Sequence, residues 1–183
     1  MNNRKTPRAE WHDYNGGLYF VTVVTRNREQ SLGTIENGVM RLSVVGCLLE
    51  EQIQSISRHF PYVVLDRYVI MPNHFHLLIY IDKDKANYKM RSPQSVDGLN
   101  QQQGRNDYFK DVAALQGALS VVIGGIKSWV SRNAHKQGAD FGWQTRFHDH
   151  IVRGREDWMN IADYIEHNVE KWGGDMFNPD IEA

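Results

Sequence analysis

Two apolar segments on either side of Met71-Pro72-Asn73 constrain the fold more than any other feature of the chain. Residues 62–71 and 73–81 are rich in β-branched and aromatic side chains, a composition typical of strands. Proline has no amide hydrogen to give to a strand ladder, and asparagine is common in turns. We therefore expect two neighbouring antiparallel strands that reverse direction at this tripeptide.

The residues before this pair predict a strand, a hairpin and a helix. Residues 17–25 are dense in aromatic and β-branched side chains and predict a central strand. Glu36-Asn37-Gly38 suits a tight hairpin turn. Ser43 stands where an N-cap would begin a helix, whose apolar positions recur at helical spacing up to Pro61.

The second half of the chain predicts two more helices and a strand. An amphipathic helix is expected from Asp111 to near Gly138, a strand over 145–152 and a last helix before Gly173-Gly174. Residues 82–110 lack hydrophobic periodicity and are polar, which predicts a flexible insertion.

This order of elements indicates the fold class. Strand, helix, strand, strand, helix, strand, with one helix appended, is the order of an α+β ferredoxin-like sandwich. We expect an antiparallel sheet with helices on one face and an appended C-terminal helix. With 183 residues, the chain fits a single domain over 1–183.

Composition limits the chemistry that is available. Cys47 is the only cysteine, so an internal disulfide and a thiolate zinc cage are excluded, and a metal would need histidine, asparagine or carboxylate ligands. The net charge of -1 neither indicates nor excludes nucleic acid. No apolar run approaches the roughly 20 residues that span a bilayer, and no signal peptide is apparent, so we expect a cytoplasmic protein without a membrane partner.

His74 and His76 are the sharpest candidate site. Because side chains alternate along a strand, both imidazoles are predicted on one face, about 7 Å apart along the strand. Two neutral imidazoles in this arrangement can converge on one divalent cation. The alternative interpretation is a pair of polar residues on the solvated face of a sheet.

The last helix supplies a candidate nucleophile and a third ligand. Tyr164 and Asn168 are four residues apart and would be neighbours at the edge of the helix-to-sheet contact. The tyrosine hydroxyl could reach a metal-bound phosphate, and the amide oxygen of Asn168 could complete the metal shell. An ordinary tyrosine packed at a helix edge is the alternative, and periodicity does not decide between them.

His148 and His150 form a second His-x-His pattern, also on a predicted strand. This pair is an alternative metal site, with Asp149 facing away from both histidines. Trp143 and Phe147, nearby, could stack on bases or belong to the core.

Basic residues could hold a nucleic-acid backbone. They lie late in the long helix, around the strand before the tyrosine helix, and in the N-terminal arm: Lys127, Arg132, Arg146, Arg153, Arg155, Arg4, Lys5 and Arg8. Singly, each is typical of a solvated surface charge, but as a set they could follow phosphates.

Four blocks of sequence, in order, carry a family resemblance. They are Tyr19-Phe20-Val21-Thr22; Met71-Pro72-Asn73-His74-Phe75-His76-Leu77-Leu78; Lys127-Ser128 with Arg132; and Trp143-Gln144 through Phe147, Asp149 and Tyr164-Ile165 to Asn168. The chain resembles the REP-associated tyrosine transposases, members of the HUH single-strand endonuclease superfamily, in which two histidines flank a hydrophobic residue. The resemblance covers most of the chain outside the N-terminus, 82–110 and the last ten residues.

The resemblance implies roles for individual residues. His74 and His76 would be ligands of Mg²⁺ or Mn²⁺, Tyr164 the nucleophile and Asn168 the third ligand. The family commonly has proline after this asparagine, whereas this chain has Val169, which allows the helix to continue. Segment 82–110 also departs from the compact members of the family and could alter which DNA is bound.

The implied function is a metal-dependent endonuclease and strand transferase for single-stranded or hairpin DNA, acting through a 5′-phosphotyrosine. Lys127, Arg132, Arg146 and Arg153 would contact the DNA. Single-tyrosine relatives include dimers that exchange helices, whereas REP-associated members can act as monomers, so a homodimer stays open.

Two rival functions come from other classes. A catalytically inactive hairpin-binding protein would keep DNA affinity without cleavage. A histidine-triad nucleotide hydrolase would need a third alternating histidine, but position 78 is Leu78, which argues against it.

Overall fold

A computed structural model describes residues 16–86 and 103–179. The N-terminal basic residues Arg4, Lys5 and Arg8, and residues 87–102 of the predicted insertion, lie outside the described residues.

The described chain alternates strands and helices in the order predicted. Its elements are β1 Gly17–Val24, β2 Gly33–Glu36, β3 Val39–Leu42, α1 Val44–Gln54, α2 Ile56–His59, β4 Val63–Ile70, β5 His74–Ile81, α3 Gln103–Lys136, β6 His148–Ile151 and α4 Gly154–Glu166. One-turn 3-10 helices occupy Arg26–Arg28 and Trp172–Gly174.

The main sheet has four strands in the order β4-β5-β1-β6, with each neighbouring pair antiparallel. Strands β2 and β3 form a separate hairpin. This arrangement confirms the predicted α+β sandwich with an antiparallel sheet. Strands β1 and β5 lie at its centre, and β5 pairs with β1 on one side and with β4 on the other.

The core lies on one face of this sheet, against α1 and α3. Alternate residues of β1 and β5 point into it, as the period of a strand requires. Its members include Tyr19, Val21, Val23, Phe75, Leu77 and Ile79 from the strands, and Leu49, Ile53, Leu119, Val122 and Ile126 from the helices. Helix α4 contacts the opposite face through Tyr164, which meets Phe20 and His76.

Local sequence signals produced the expected turn and cap. Asn37 and Gly38 both have positive φ angles, 53° and 74°, which is the left-handed conformation of a tight hairpin turn. The Gly46 amide donates to the Ser43 hydroxyl over 3.0 Å, so Ser43 is the predicted N-cap.

Two element boundaries differ from prediction. Helix α3 begins at Gln103 rather than Asp111, so the loop predicted for 82–110 is wrong over 103–110. The Gly117 backbone leaves helical geometry at φ 73° and ψ 158°, so residues 103–116 form a helical segment that is separated by this break from the packed remainder of α3. Among the described helices, none combines the length and apolar character needed to cross a bilayer.

Helix α4 ends at Glu166, so Asn168 lies beyond it and not on its surface four residues after Tyr164. The His167 backbone leaves helical geometry at φ -100° and ψ 9°, and the Asn168 amide donates to the Ile165 carbonyl in a tightened final turn. Val169 therefore does not prolong the α-helix.

One side-chain hydrogen bond joins α4 to the edge strand β4. The indole nitrogen of Trp158 donates to Asp66 Oδ2 over 2.6 Å. Asp66 lies where the pairing of β4 with β5 shifts between Leu65 and Arg67. The Arg67 guanidinium lies over the Trp158 ring at 5.8 Å.

We expect Trp158→Phe to lower the free energy of unfolding by about 1 kcal/mol, because it removes the indole donor while keeping a ring beneath Arg67. Urea denaturation would measure this loss. Met159→Ala, at a half-exposed position on the same helix, is the control and should change stability by less than about 0.5 kcal/mol. Equal losses in both variants would show that the hydrogen bond does not anchor α4.

Candidate metal and tyrosine site

His74 and His76 lie side by side at the start of β5, on the sheet face opposite the main core. As predicted, they share a face, and their Nε2 atoms are 3.1 Å apart. The face is not solvated at this point, because the two residues are 0% and 1% exposed. The alternative of two polar residues on a wet sheet face is therefore wrong.

The Asn73 side chain orients the His74 ring. The Asn73 amide nitrogen donates to the carbonyls of Arg28 and Phe177, so its Oδ1 can only accept. His74 Nδ1 consequently donates to that oxygen over 2.9 Å. In a neutral ring this leaves the lone pair on Nε2, the atom that faces His76.

Thr22 plays the same part for His76. It lies directly opposite His76 in the β1–β5 register, and its hydroxyl is 2.8 Å from His76 Nδ1. The Phe20 ring stacks on His76 with a centroid distance of 5.0 Å. A hydrogen bond at Nδ1 and a stacked ring hold the imidazole so that Nε2 points at its neighbour, as outer partners do for metal-binding histidines.

Both imidazoles are neutral at pH 7. Burial lowers the pKa of His74 to about 3. Burial, and secondarily the proximity of His74, lowers the pKa of His76 well below its ordinary value. Because metals bind the unprotonated ring, this environment keeps the pair in its ligand form.

Tyr164 reaches the pair from α4. Its hydroxyl lies 3.4 Å from His76 Nε2, and its ring meets Phe20 edge-on at 5.9 Å. Burial raises the pKa of Tyr164, while a hydrogen bond from Asn168 opposes that rise. The phenol is therefore protonated at neutral pH and is a weak nucleophile unless its target is activated.

Asn168 and Asp175 enter the site from the segment after α4. Asn168 is 1% exposed, and its Oδ1 has no hydrogen-bond partner in the described part of the chain. Asp175 Oδ2 is 3.9 Å from His74 Nε2. Leaving a buried oxygen unpaired costs about 1–3 kcal/mol. Asn168 Oδ1 is therefore a candidate to bind a metal ion or to accept a hydrogen bond.

With Asn168 included, the donor set could hold a divalent cation. Within residues 16–86 and 103–179, no three His, Cys, Asp or Glu side chains form a ready metal cluster. The convergent imidazole nitrogens and the buried amide oxygen supply the kind of neutral N and O donors that such ions accept.

The other sequence-predicted residues lie away from this cluster or are held by other contacts. Lys127 is half-buried, and its Nζ donates to the carbonyls of Gln144 at 2.7 Å and Thr145 at 3.2 Å. Arg132, Arg146 and Arg153 are exposed. Lys127 thus supports the segment before β6, whereas the three arginines lie on the surface.

Trp143 belongs to the core. Its ring meets Phe75 at 5.5 Å and Phe141 at 4.7 Å, and its indole nitrogen donates to the Lys127 carbonyl. In the second His-x-His pattern, His150 Nε2 is instead 2.8 Å from the Asp157 carboxylate. His148 and His150 are both exposed on β6.

Sequence reasoning missed Thr22 as the partner of His76, and Asp175 altogether. Thr22 stood in the Tyr-Phe-Val-Thr block, so pairing that strand with β5 could have revealed it. Asp175 lies outside every periodic segment and motif, and only its fold position brings it to His74.

The chain is similar to known proteins over most of its length. No protein-family model matches the chain. An uncharacterized protein of Haemophilus influenzae is 28% identical over 186 residues, covering 98% of this chain and 96% of its own. A second Haemophilus influenzae protein, named "Putative REP-associated tyrosine transposase", is 24% identical over 177 residues, covering 92% of this chain and 84% of its own.

A solved REP-associated tyrosine transposase bound to a REP hairpin has the same fold. It superposes with a TM-score of 0.55 at 23% identity, over 91% of this chain and 74% of that one. The chain therefore shares the fold of that transposase, and its sequence is similar over most of its length to a protein that carries the same family name.

Acid should destabilise the protein through the buried pair. The folded pKa of His74 is lowered from 6.5 to about 3, so the unfolded state binds more protons between these values. The stabilisation is complete above pH 6.5 and is lost as the pH falls towards 3, by up to about 1.4 kcal/mol per pH unit per histidine. Urea denaturation from pH 8 to 4.5 would measure it.

NMR of the imidazole protons provides the control. His74 should keep an unprotonated signal from pH 8 to 5. His167, whose pKa is raised by the Asp163 carbonyl and carboxylate, should titrate above its ordinary value in the same sample. A His74 signal that titrates near 6.5 would contradict the buried, neutral site.

Proposed function

We propose that this protein is a metal-dependent single-stranded DNA endonuclease and strand transferase that acts on hairpin DNA. Tyr164 would be the nucleophile, and His74, His76 and Asn168 would hold the cation. The observation that carries the proposal is the convergence of a tyrosine hydroxyl on paired imidazoles, 3.4 Å from His76 Nε2 with the second Nε2 3.1 Å beyond.

The spacing of the donors supports a shared cation. Two nitrogen ligands on one divalent ion lie at most about 4.2 Å apart, twice a ligand bond of about 2.1 Å. The two Nε2 atoms, at 3.1 Å, satisfy this limit without movement of the backbone. A bound Mg²⁺ or Mn²⁺ would polarise the scissile phosphate and stabilise charge on its oxygens.

Tyr164 would carry out the cleavage step. Its oxygen would form a bond to phosphorus while the bond from phosphorus to the 3′ oxygen breaks, and the proton lost by the phenol would pass to the leaving 3′ oxygen. The products are a 5′-phosphotyrosine and a 3′-hydroxyl. Because the phosphodiester energy is kept in the tyrosine ester, another 3′-hydroxyl can attack it and join strands without nucleotide hydrolysis.

Hairpin DNA is the proposed substrate because the solved relative is bound to a REP hairpin. Arg132, Arg146 and Arg153 are exposed basic side chains that would contact phosphates at the surface. Lys127 is placed differently, since its ammonium already donates to two main-chain carbonyls.

A second candidate is a hairpin-binding protein without cleavage activity. The observation that favours it is the burial of both histidines, which leaves little of either ring in contact with solvent. The experiment below separates the two functions.

Incubation with labelled single-stranded hairpin DNA and Mn²⁺ should yield a covalent protein–DNA adduct on a denaturing gel. Tyr164→Phe should yield none, because it removes only the hydroxyl. Tyr80→Phe is the matched control: it makes the same change at a half-exposed tyrosine on the same strand as the histidines, and should keep full adduct yield.

The same assay tests the cation ligands. His74→Ala and His76→Ala should each abolish the adduct, whereas His148→Ala, in the second His-x-His pattern, should leave it unchanged. Adduct formation by both of the first two variants would rule out the metal role. Tight hairpin binding with no adduct from the unmodified protein, with Mg²⁺ or Mn²⁺, would favour the binding protein.

Salt dependence of hairpin binding should identify the phosphate contacts. Arg132→Ala, Arg146→Ala and Arg153→Ala should each weaken binding and reduce the slope of log affinity against log salt by about 0.7–1. Arg58→Ala, at an exposed position on α2, is the control and should change neither quantity. An unchanged slope in all three variants would place the DNA elsewhere.

A further inference from the structure

Asp175 is buried next to the histidine pair. Its side chain is 5% exposed, and Oδ2 lies 3.9 Å from His74 Nε2. We infer that the Asp175 carboxylate is a further binding group for the divalent cation, and the charged one in its site. This inference rests on the proposed function, in which His74, His76 and Asn168 hold that cation.

The 3.9 Å separation points to a shared ion and not to a direct contact. It exceeds the distance of a hydrogen bond, so the carboxylate and the imidazole do not simply pair with each other. It is below about 4.2 Å, the greatest separation of two ligands on one ion with bonds near 2.1 Å. A single cation can therefore contact both His74 Nε2 and Asp175 Oδ2. Because His74, His76 and Asp175 do not already form a ready metal cluster in the described structure, their side chains would adjust to bring all three onto one ion.

Charge gives a second argument. The proposed ligands His74, His76 and Asn168 are all neutral, and all three are buried. A divalent ion in such a site is costly unless a negative group offsets its charge. Asp175 is the acidic side chain that the fold brings to this cluster, and carboxylate oxygen is a preferred ligand of Mg²⁺ and Mn²⁺.

Backbone contacts hold the carboxylate in place. The Phe177 amide donates to Asp175 Oδ1 over 2.7 Å, which leaves Oδ2 on the side of His74. The Phe177 carbonyl in turn accepts from Asn73, the residue that orients His74. The carboxylate and the imidazole are thus positioned by one connected set of hydrogen bonds, as metal ligands commonly are.

The test is Mn²⁺ binding to the full chain without DNA, measured by calorimetry and by the electron paramagnetic resonance signal of free Mn²⁺. Asp175→Asn should weaken binding tenfold to a hundredfold, because it removes the charge while keeping an acceptor for the Phe177 amide. Asp175→Glu, which keeps the charge, should recover part of the affinity. Asp163→Asn, at an exposed carboxylate on α4, is the matched control and should bind as the unmodified protein does.

Thermal unfolding without metal separates a metal role from a purely structural one. Metal-free Asp175→Asn should be as stable as the unmodified protein, and its midpoint should rise less when Mn²⁺ is added. A large loss of stability without metal, together with unchanged Mn²⁺ affinity, would overturn the inference.

The remaining outcomes separate this inference from the proposed function. Equal Mn²⁺ affinity of the unmodified protein and Asp175→Asn, with binding lost in His74→Ala, overturns the role of Asp175 and leaves the histidine site intact. No Mn²⁺ binding by the unmodified protein, or binding that persists in the His74→Ala, His76→Ala double variant, overturns both metal assignments. The adduct assay decides the role of Tyr164 in either case.

Discussion

The buried side chain of Asn73 is the interaction on which the rest of the site depends. Its Oδ1 accepts from His74, and its amide nitrogen donates to the carbonyls of Arg28 and Phe177. One amide thus joins the loop after β1, the start of β5 and the C-terminal segment. Because Asn73 is 0% exposed, loss of any of these partners would leave a buried polar group unpaired, which is costly.

Burial then determines the chemistry of the cluster. Water is excluded from His74 and His76, so the charged imidazolium is disfavoured, and the Nε2 atoms of the two neutral rings meet at a common point. The same burial keeps the Tyr164 hydroxyl protonated. The arrangement suits a cation that activates the target of the tyrosine, and Asp175 provides the negative charge that neutral ligands lack.

Predictions from sequence succeeded where the controlling interaction is local. Ser43 caps α1 and Asn37-Gly38 turns the hairpin because both effects act within a few residues. The shared face of His74 and His76 follows from strand alternation alone. The start of α3 at Gln103 was missed because residues 103–110 show no hydrophobic periodicity. The end of α4 before Asn168 was missed because it depends on a backbone change at His167 that no short pattern encodes.

By itself the sequence determined the order of strands and helices, the antiparallel sheet and the pairing of the histidines, since alternation, caps and turns are properties of neighbouring residues. It also carried the family resemblance. Only the tertiary structure decided that the imidazoles are buried and 3.1 Å apart, that Thr22 holds His76, and that Asp175 meets His74. These contacts join residues distant in the chain, and the positions of such residues are set by packing and not by local propensity.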